Sequence, residues 1–184
     1  VGDGVQGRRE TAEERGDMSC HITTAICPGS FDPVTLGHLD IISRASKIFS
    51  RIIVAVPVNP DKRYSFTVEE RIDMLSKVTK AAGLFNVECD RVEGLLADYA
   101  REKGAAVVVK GLRALTDFEY EFQQALTNKK LNPSLETIFP STSAEHMFLS
   151  SSMVKQVAGF GGDISHFVPG CILDTISERL CSRR

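Results

Sequence analysis

Polar and apolar positions alternate in blocks along this chain. Short, nearly continuous apolar runs predict strands over residues 23–27, 52–58, 87–92, 105–109 and 137–139. Between them apolar residues recur at helical spacing, predicting helices over 39–49, 68–82, 96–103 and 117–131, with two more at 151–158 and 169–180. Ile-Ile-Val-Ala-Val at 52–56 and Ala-Ala-Val-Val-Val at 105–109 have no polar face, which suits strands covered on both sides. Regular strand–helix alternation predicts an α/β fold, a doubly wound, Rossmann-like parallel sheet of about five strands with helices on both faces. Ligands of such sheets bind beyond the carboxyl ends of the strands, near the reversal of strand order. That rule singles out the segments after Cys27, Val58, Val92 and Val109.

The first of these segments, Pro28-Gly29-Ser30-Phe31-Asp32-Pro33-Val34-Thr35-Leu36-Gly37-His38, carries the most chemistry. A strand ends in a Gly-containing turn and feeds a helix, so backbone N–H groups and the positive helix end converge where an anion such as phosphate would sit. Gly37 lets a ligand approach the backbone, and His38 adds a side-chain donor. In the bland alternative, Ser30 and Asp32 shape a turn that Pro28 and Pro33 stiffen.

Lys62 follows the second strand and can reach an anion as a point charge. After the fourth strand, Lys110-Gly111-Leu112-Arg113 sets two cations around a glycine, an arrangement that wraps phosphates. The acids at 117–121 suit a helix start, and one of them is a candidate acceptor for a nucleotide sugar or base. Ser150-Ser151-Ser152 ahead of an apolar-periodic segment signals a helix cap and, at the same time, a second anion cradle.

Composition narrows the classes. At 184 residues, 42% hydrophobic and 25% charged, the chain fits one ordinary globular domain, expected over residues 21–184. Residues 1–17 hold five acids and three bases, the whole net charge of −2. They are polar and aperiodic, so residues 1–20 are expected to be a disordered extension, with Met18 a candidate native start. A near-neutral remainder, with no basic stripe and no long apolar run, argues against nucleic-acid and membrane partners. The five scattered cysteines form no CxxC pair and read as reduced thiols in a cytoplasmic protein, and the four histidines show no metal spacing. His21 and His166 are read as structural or solvated.

Taken together, PGSFDPVTLGH, NPDKRYSFTVEER, VVVKGLRALTDFEYE and FLSSSMVK resemble the bacterial phosphopantetheine adenylyltransferases. These belong to the nucleotidyltransferase superfamily with the (T/H)xGH signature, here Thr35-Leu36-Gly37-His38. The resemblance implies adenylyl transfer from ATP to 4′-phosphopantetheine, giving dephospho-coenzyme A and pyrophosphate, with Mg²⁺ arriving on ATP rather than at a protein site. It also implies a homohexamer inhibited by coenzyme A. By the same resemblance His38, Lys62 and Arg113 are catalytic, and Ser30, Lys62, Leu96 and Lys110 contact phosphopantetheine. ATP contacts fall on Ser30, Phe31, His38, Gly111, Leu112, Arg113, Glu121, His146, Met147, Phe148, Leu149, Ser150, Ser151 and Ser152. Ser30 stands where many relatives have Thr, and Lys110 where many have Arg. Alternative readings are an adenylyltransferase for nicotinate or nicotinamide mononucleotide, a cytidylyltransferase for a phosphorylated polyol, or a catalytically silent sensor of nucleotide or coenzyme A.

Overall fold

The computed structural model describes residues 23–113 and 115–181; the side chains of residues 115–117 are outside that set. The extension expected at residues 1–20, with Met18, Cys20 and the neighbouring His21, lies outside the described residues. The chain runs β1 (Thr24–Pro28), α1 (Leu36–Ser46), β2 (Arg51–Pro57), α2 (Val68–Ala81), β3 (Val87–Val92) and α3 (Leu96–Glu102). It continues with β4 (Ala105–Val109), α4 (Leu115–Leu131), β5 (Glu136–Ile138), α5 (Ser151–Gly159) and α6 (Leu173–Leu180). Short 3₁₀ turns occupy Ala144–His146 and Gly170–Ile172, so the helix expected from residue 169 is a tight turn leading into α6.

All five strands pair in parallel, in the order β3-β2-β1-β4-β5. The period-2 geometry of the strands divides the core. Ala25, Cys27, Ile52, Val54 and Val56 point to one face, under α1, α2, α5 and α6, which contribute Ile42, Leu75, Val154 and Ile176. Ile26, Ile53, Ala55 and Val108 point to the other, against Tyr99 and Ala100 of α3. β1 and β4 lie side by side at the centre although the chain passes through two other strands between them, so the loops leaving their carboxyl ends diverge. The crevice opens there.

Helix starts are built from side-chain caps. Thr35 and Thr67 each accept the amide three residues on, at His38 and Glu70, and each of those side chains accepts the cap amide in return. The cap at Thr35 starts α1 three residues before the position that apolar spacing indicates.

The end of β4 packs onto α1 at a position where only glycine fits. A Cβ built on Gly111 would stand 2.9 Å from Ile41 Cγ1. That carbon lies mid-chain, with little freedom to withdraw. Gly111→Ala should therefore destabilise the fold by about 1–3 kcal/mol. Urea unfolding of the variant measures it, and an unchanged midpoint would show that the contact yields.

Candidate active site

Beyond the carboxyl ends of β1 and β4 lies a cavity of about 610 Å³. Ser30, Phe31, His38, Lys62, Leu96, Lys110, Gly111, Arg113, Glu121, His146, Leu149, Ser150, Ser151 and Ser152 all line it. Residues drawn from five separate chain segments thus meet in one place.

Several of the polar groups there are held by partners. In α1 the Thr35 amide donates to His38 Nδ1 at 3.0 Å, so the ring proton resides on Nε2, leaving that N–H to serve the cavity. Burial, then the Arg113 guanidinium, push the His38 pKa from 6.5 down to about 4. The imidazole is therefore a neutral donor at physiological pH. Lys62 Nζ donates to Ser30 Oγ at 3.3 Å. Lys110 Nζ stands 2.8 Å from Glu121 Oε2, a pair bridging the end of β4 and α4. Arg113 donates to the Leu149 carbonyl at 2.9 Å. Three cations against one carboxylate leave the cavity net positive in a chain whose overall charge is −2.

The serine run divides its hydroxyls. Ser150 caps α5 by accepting the Met153 amide at 3.0 Å, and Ser151 donates to the Pro33 carbonyl at 2.7 Å. Ser152 is exposed at the helix start. Two of the three hydroxyls expected to face an anion are thus engaged with the protein, and α5's first amides remain the stronger part of that cradle.

Three residues proposed from sequence lie away from the cavity. Leu112 faces the β5 side, bridging to Ser141, and its carbonyl accepts from Thr142 Oγ1. Met147 and Phe148 point outward, and Phe148 packs its ring edge-on to Phe167. The chain turns directly after the 3₁₀ segment, the Leu149 amide donating to the His146 carbonyl at 3.0 Å, so His146 and Leu149 line the cavity and the two residues between them are exposed. Gly37 does line the cavity, and a Cβ there would meet ordinary contacts at 3.5 Å or more, so its absence leaves room rather than relieving a clash. Cys27 also lines it, but burial pushes its thiol up to about 12, which keeps it protonated and unreactive.

Sequence reading missed Asn59, Tyr64, Tyr120, Gln124 and Thr142 on the wall. It also missed what supports the wall. Asp32 is 3% exposed and accepts from the Ser65 and Phe66 amides at 3.0 Å each and from Lys155 Nζ at 2.8 Å. An acid in a proline-bracketed turn marks the turn, and nothing local in the sequence names its distant partners.

Comparison with known proteins agrees with this geometry. The cytidylyltransferase-like family model matches residues 26–157. The phosphopantetheine adenylyltransferase of Caldanaerobacter subterraneus subsp. tengcongensis is 55% identical over 159 residues, covering 86% of this chain and 96% of that protein. The one from Alkaliphilus metalliredigens is 53% identical over 84% of this chain and 97% of its own length. The chain belongs to the phosphopantetheine adenylyltransferase family. Among solved structures, a Plasmodium falciparum nicotinic acid mononucleotide adenylyltransferase superposes with a TM-score of 0.65 over 86% of this chain and 96% of its own. At 15% identity that likeness shows a shared fold alone. Phosphopantetheine adenylyltransferases thus share their doubly wound architecture with other nucleotidyltransferases.

The depressed His38 pKa has a signed consequence. Between pH 6.5 and about 4 the unfolded chain binds a proton that the folded ring refuses, so the residue's contribution to stability falls as pH drops through that window, by up to about 1.4 kcal/mol per pH unit. In NMR titrations the His38 ring should titrate near 4, and added tripolyphosphate should raise that value by offsetting Arg113. A midpoint near 6.5 without anion would contradict the neutral-donor assignment.

Proposed function

We propose that this protein transfers the adenylyl group of ATP to 4′-phosphopantetheine, forming dephospho-coenzyme A and releasing pyrophosphate. The observation that carries this reading is the convergence of Lys62, Lys110, Arg113, two helix starts and a neutral His38 donor on one cavity, in a chain over half identical to phosphopantetheine adenylyltransferases.

The residues suit direct in-line attack. A phosphate oxygen of phosphopantetheine attacks the α-phosphorus of ATP, that bond forms as the bond to the β-phosphate oxygen breaks, and pyrophosphate departs. No covalent intermediate forms. The attacking monoester is largely dianionic near neutral pH, so no general base is required. A ring whose Nδ1 is occupied and whose Nε2 carries a proton cannot act as one. Instead His38 donates to charge developing at the α-phosphate. Lys62, beside Ser30, and Lys110 hold the acceptor phosphate, with Leu96 against the pantetheine arm. Drawing Lys110 toward that phosphate frees Glu121 to accept from the nucleotide. Arg113, Gly111 and the start of α5 hold the β- and γ-phosphates, and Phe31, His146 and Leu149 flank the nucleotide. Rate enhancement then arises from holding two polyanions in line and from charge placed in advance.

Mg²⁺ fits as a companion of ATP. The wall offers cations, hydroxyls, amides and a single carboxylate, Glu121, which is paired with Lys110, so the metal would be held by phosphate oxygens and water, as Mg²⁺ prefers. Bound there, it would offset negative charge on the phosphates.

The same reading extends to regulation and assembly. Coenzyme A carries both the adenylate and the pantetheine arm, so it would occupy this cavity and inhibit. A homohexamer finds support in α4, where Phe118, Phe122 and Leu126 are 41%, 45% and 56% exposed and Phe118 stacks on Phe122. Free thiols at Cys27, Cys89, Cys171 and Cys181 support a cytoplasmic setting. Among the described residues no helix is long and apolar enough to cross a membrane.

Pyrophosphate release from ATP and Mg²⁺ with 4′-phosphopantetheine, against nicotinate mononucleotide and unphosphorylated pantetheine, tests the reading. Release with the first acceptor alone is expected. ATP binding without release from any acceptor would defeat it and favour a nucleotide sensor. His38→Ala should lower kcat by about 10²–10³ with little change in KM, as loss of one oxyanion donor does; an unchanged kcat would remove the residue from the mechanism. Lys62→Ala should raise KM for phosphopantetheine, and a change confined to ATP would place that lysine on the wrong substrate.

A further inference from the structure

Arg71, the last residue of the NPDKRYSFTVEER stretch, lies on α2 with no role assigned to it above, yet among the described residues it is the largest fully buried side chain, at 1% exposure. Its Nη1 donates to the Ser30 carbonyl at 2.7 Å and its Nε to the Thr67 carbonyl at 3.2 Å. Its guanidinium carbon lies 4.0 Å from the centre of the Tyr64 ring. These partners are neutral, and burying a guanidinium against neutral groups is a poor way to gain stability, since an apolar side chain of similar volume would pack at lower desolvation cost. The placement calls for another reason.

That reason is visible one residue on. Phe31 has φ of +48°, the left-handed region that a residue with a Cβ occupies only when its surroundings impose it. The Ser30 carbonyl belongs to the peptide plane whose orientation sets this angle. With the carbonyl held, the Phe31 ring folds back over Gly29, where a Cβ would stand 2.8 Å from the ring, and meets the His38 ring edge-on at 5.0 Å. From the same residue the Ser30 hydroxyl accepts from Lys62 at 3.3 Å. Released, the peptide can flip, Phe31 can return to negative φ, and both the hydroxyl and the ring leave their places.

We propose that Arg71 is a positioning residue of the active site, fixing through the Ser30 carbonyl the peptide plane that presents the Ser30 hydroxyl to Lys62 and seats Phe31 beside His38. Tyr64, which lines the cavity and stacks on the same guanidinium, is held by it too. The proposal rests on the reading of this cavity as the site of adenylyl transfer.

The test compares Arg71→Met, which keeps length and loses the donors, with Arg71→Lys, which keeps one. Val78→Ala, two turns further along α2 and buried in the core, controls for destabilisation alone. Kinetics are read per folded molecule, well below each melting temperature. Arg71→Met should lose roughly 10²-fold in kcat/KM for 4′-phosphopantetheine, as a displacement near an ångström does, and KM for ATP should rise as well, because Phe31 flanks the nucleotide. Arg71→Lys should recover part of that loss. In NMR spectra the Phe31 amide and His38 ring signals should move in Arg71→Met and stay in place in Val78→Ala. Unmoved signals, or kinetic losses no larger than those of Val78→Ala, would overturn the proposal. If the wild-type protein releases no pyrophosphate with this acceptor, the functional reading fails on its own, and the Phe31 and His38 signals still decide the role of Arg71.

Discussion

The site hangs on one buried carboxylate. Asp32 sits in the turn after β1, and its oxygens accept from two amides of the loop after β2 and from Lys155 of α5. A carboxylate so deeply buried is tolerable only when paired and fully hydrogen-bonded, and here satisfying it requires three distant segments to come together. The loop it recruits carries Lys62, and the helix it recruits begins with the serine cradle. One ion thus sets the separation between the Lys62 side of the cavity and the α5 side. The strand order supplies the opening, and Asp32 determines what stands around it.

Within that frame the charged groups are placed before any substrate arrives. Lys62 rests on Ser30, Lys110 on Glu121, and Arg113 on the Leu149 carbonyl. Under the proposed reaction these partners would be exchanged for phosphate. They keep long side chains in a few rotamers, so less freedom is lost on binding, without competing strongly with a dianion.

Much of this was legible in the sequence because it is local. Apolar runs marked the five strands, and the serine run ahead of α5 announced its helix. The strand-end rule picked out Lys62, Lys110 and Arg113, and the structure gathers them. What could not be read is non-local or falls between periods. The apolar pattern alone misplaces the start of α1 by three residues, whereas Thr35 and His38 in the turn motif mark it. Arg71 meets Ser30 across 41 positions, and Lys155 meets Asp32 across 123, so neither pairing leaves a spacing to find. Residues 146–152 read as one contact stretch, but a turn closed by the Leu149 amide on the His146 carbonyl leaves Met147 and Phe148 exposed. Gly111, expected beside phosphate, is also demanded by its packing on Ile41.

His38 shows what such economy implies for change over generations. The same ring closes the first turn of α1 and faces the cavity, so architecture and chemistry draw on a single side chain. At many enzyme sites the reactive groups sit in uncomfortable surroundings, and their loss steadies the fold, which gives mutation a downhill path to an inert descendant. Here the path runs uphill. A descendant that gives up the imidazole gives up a helix cap as well, so a drifting copy of this domain would shed solidity along with turnover, and an inert but sturdy form would need a second substitution to arise.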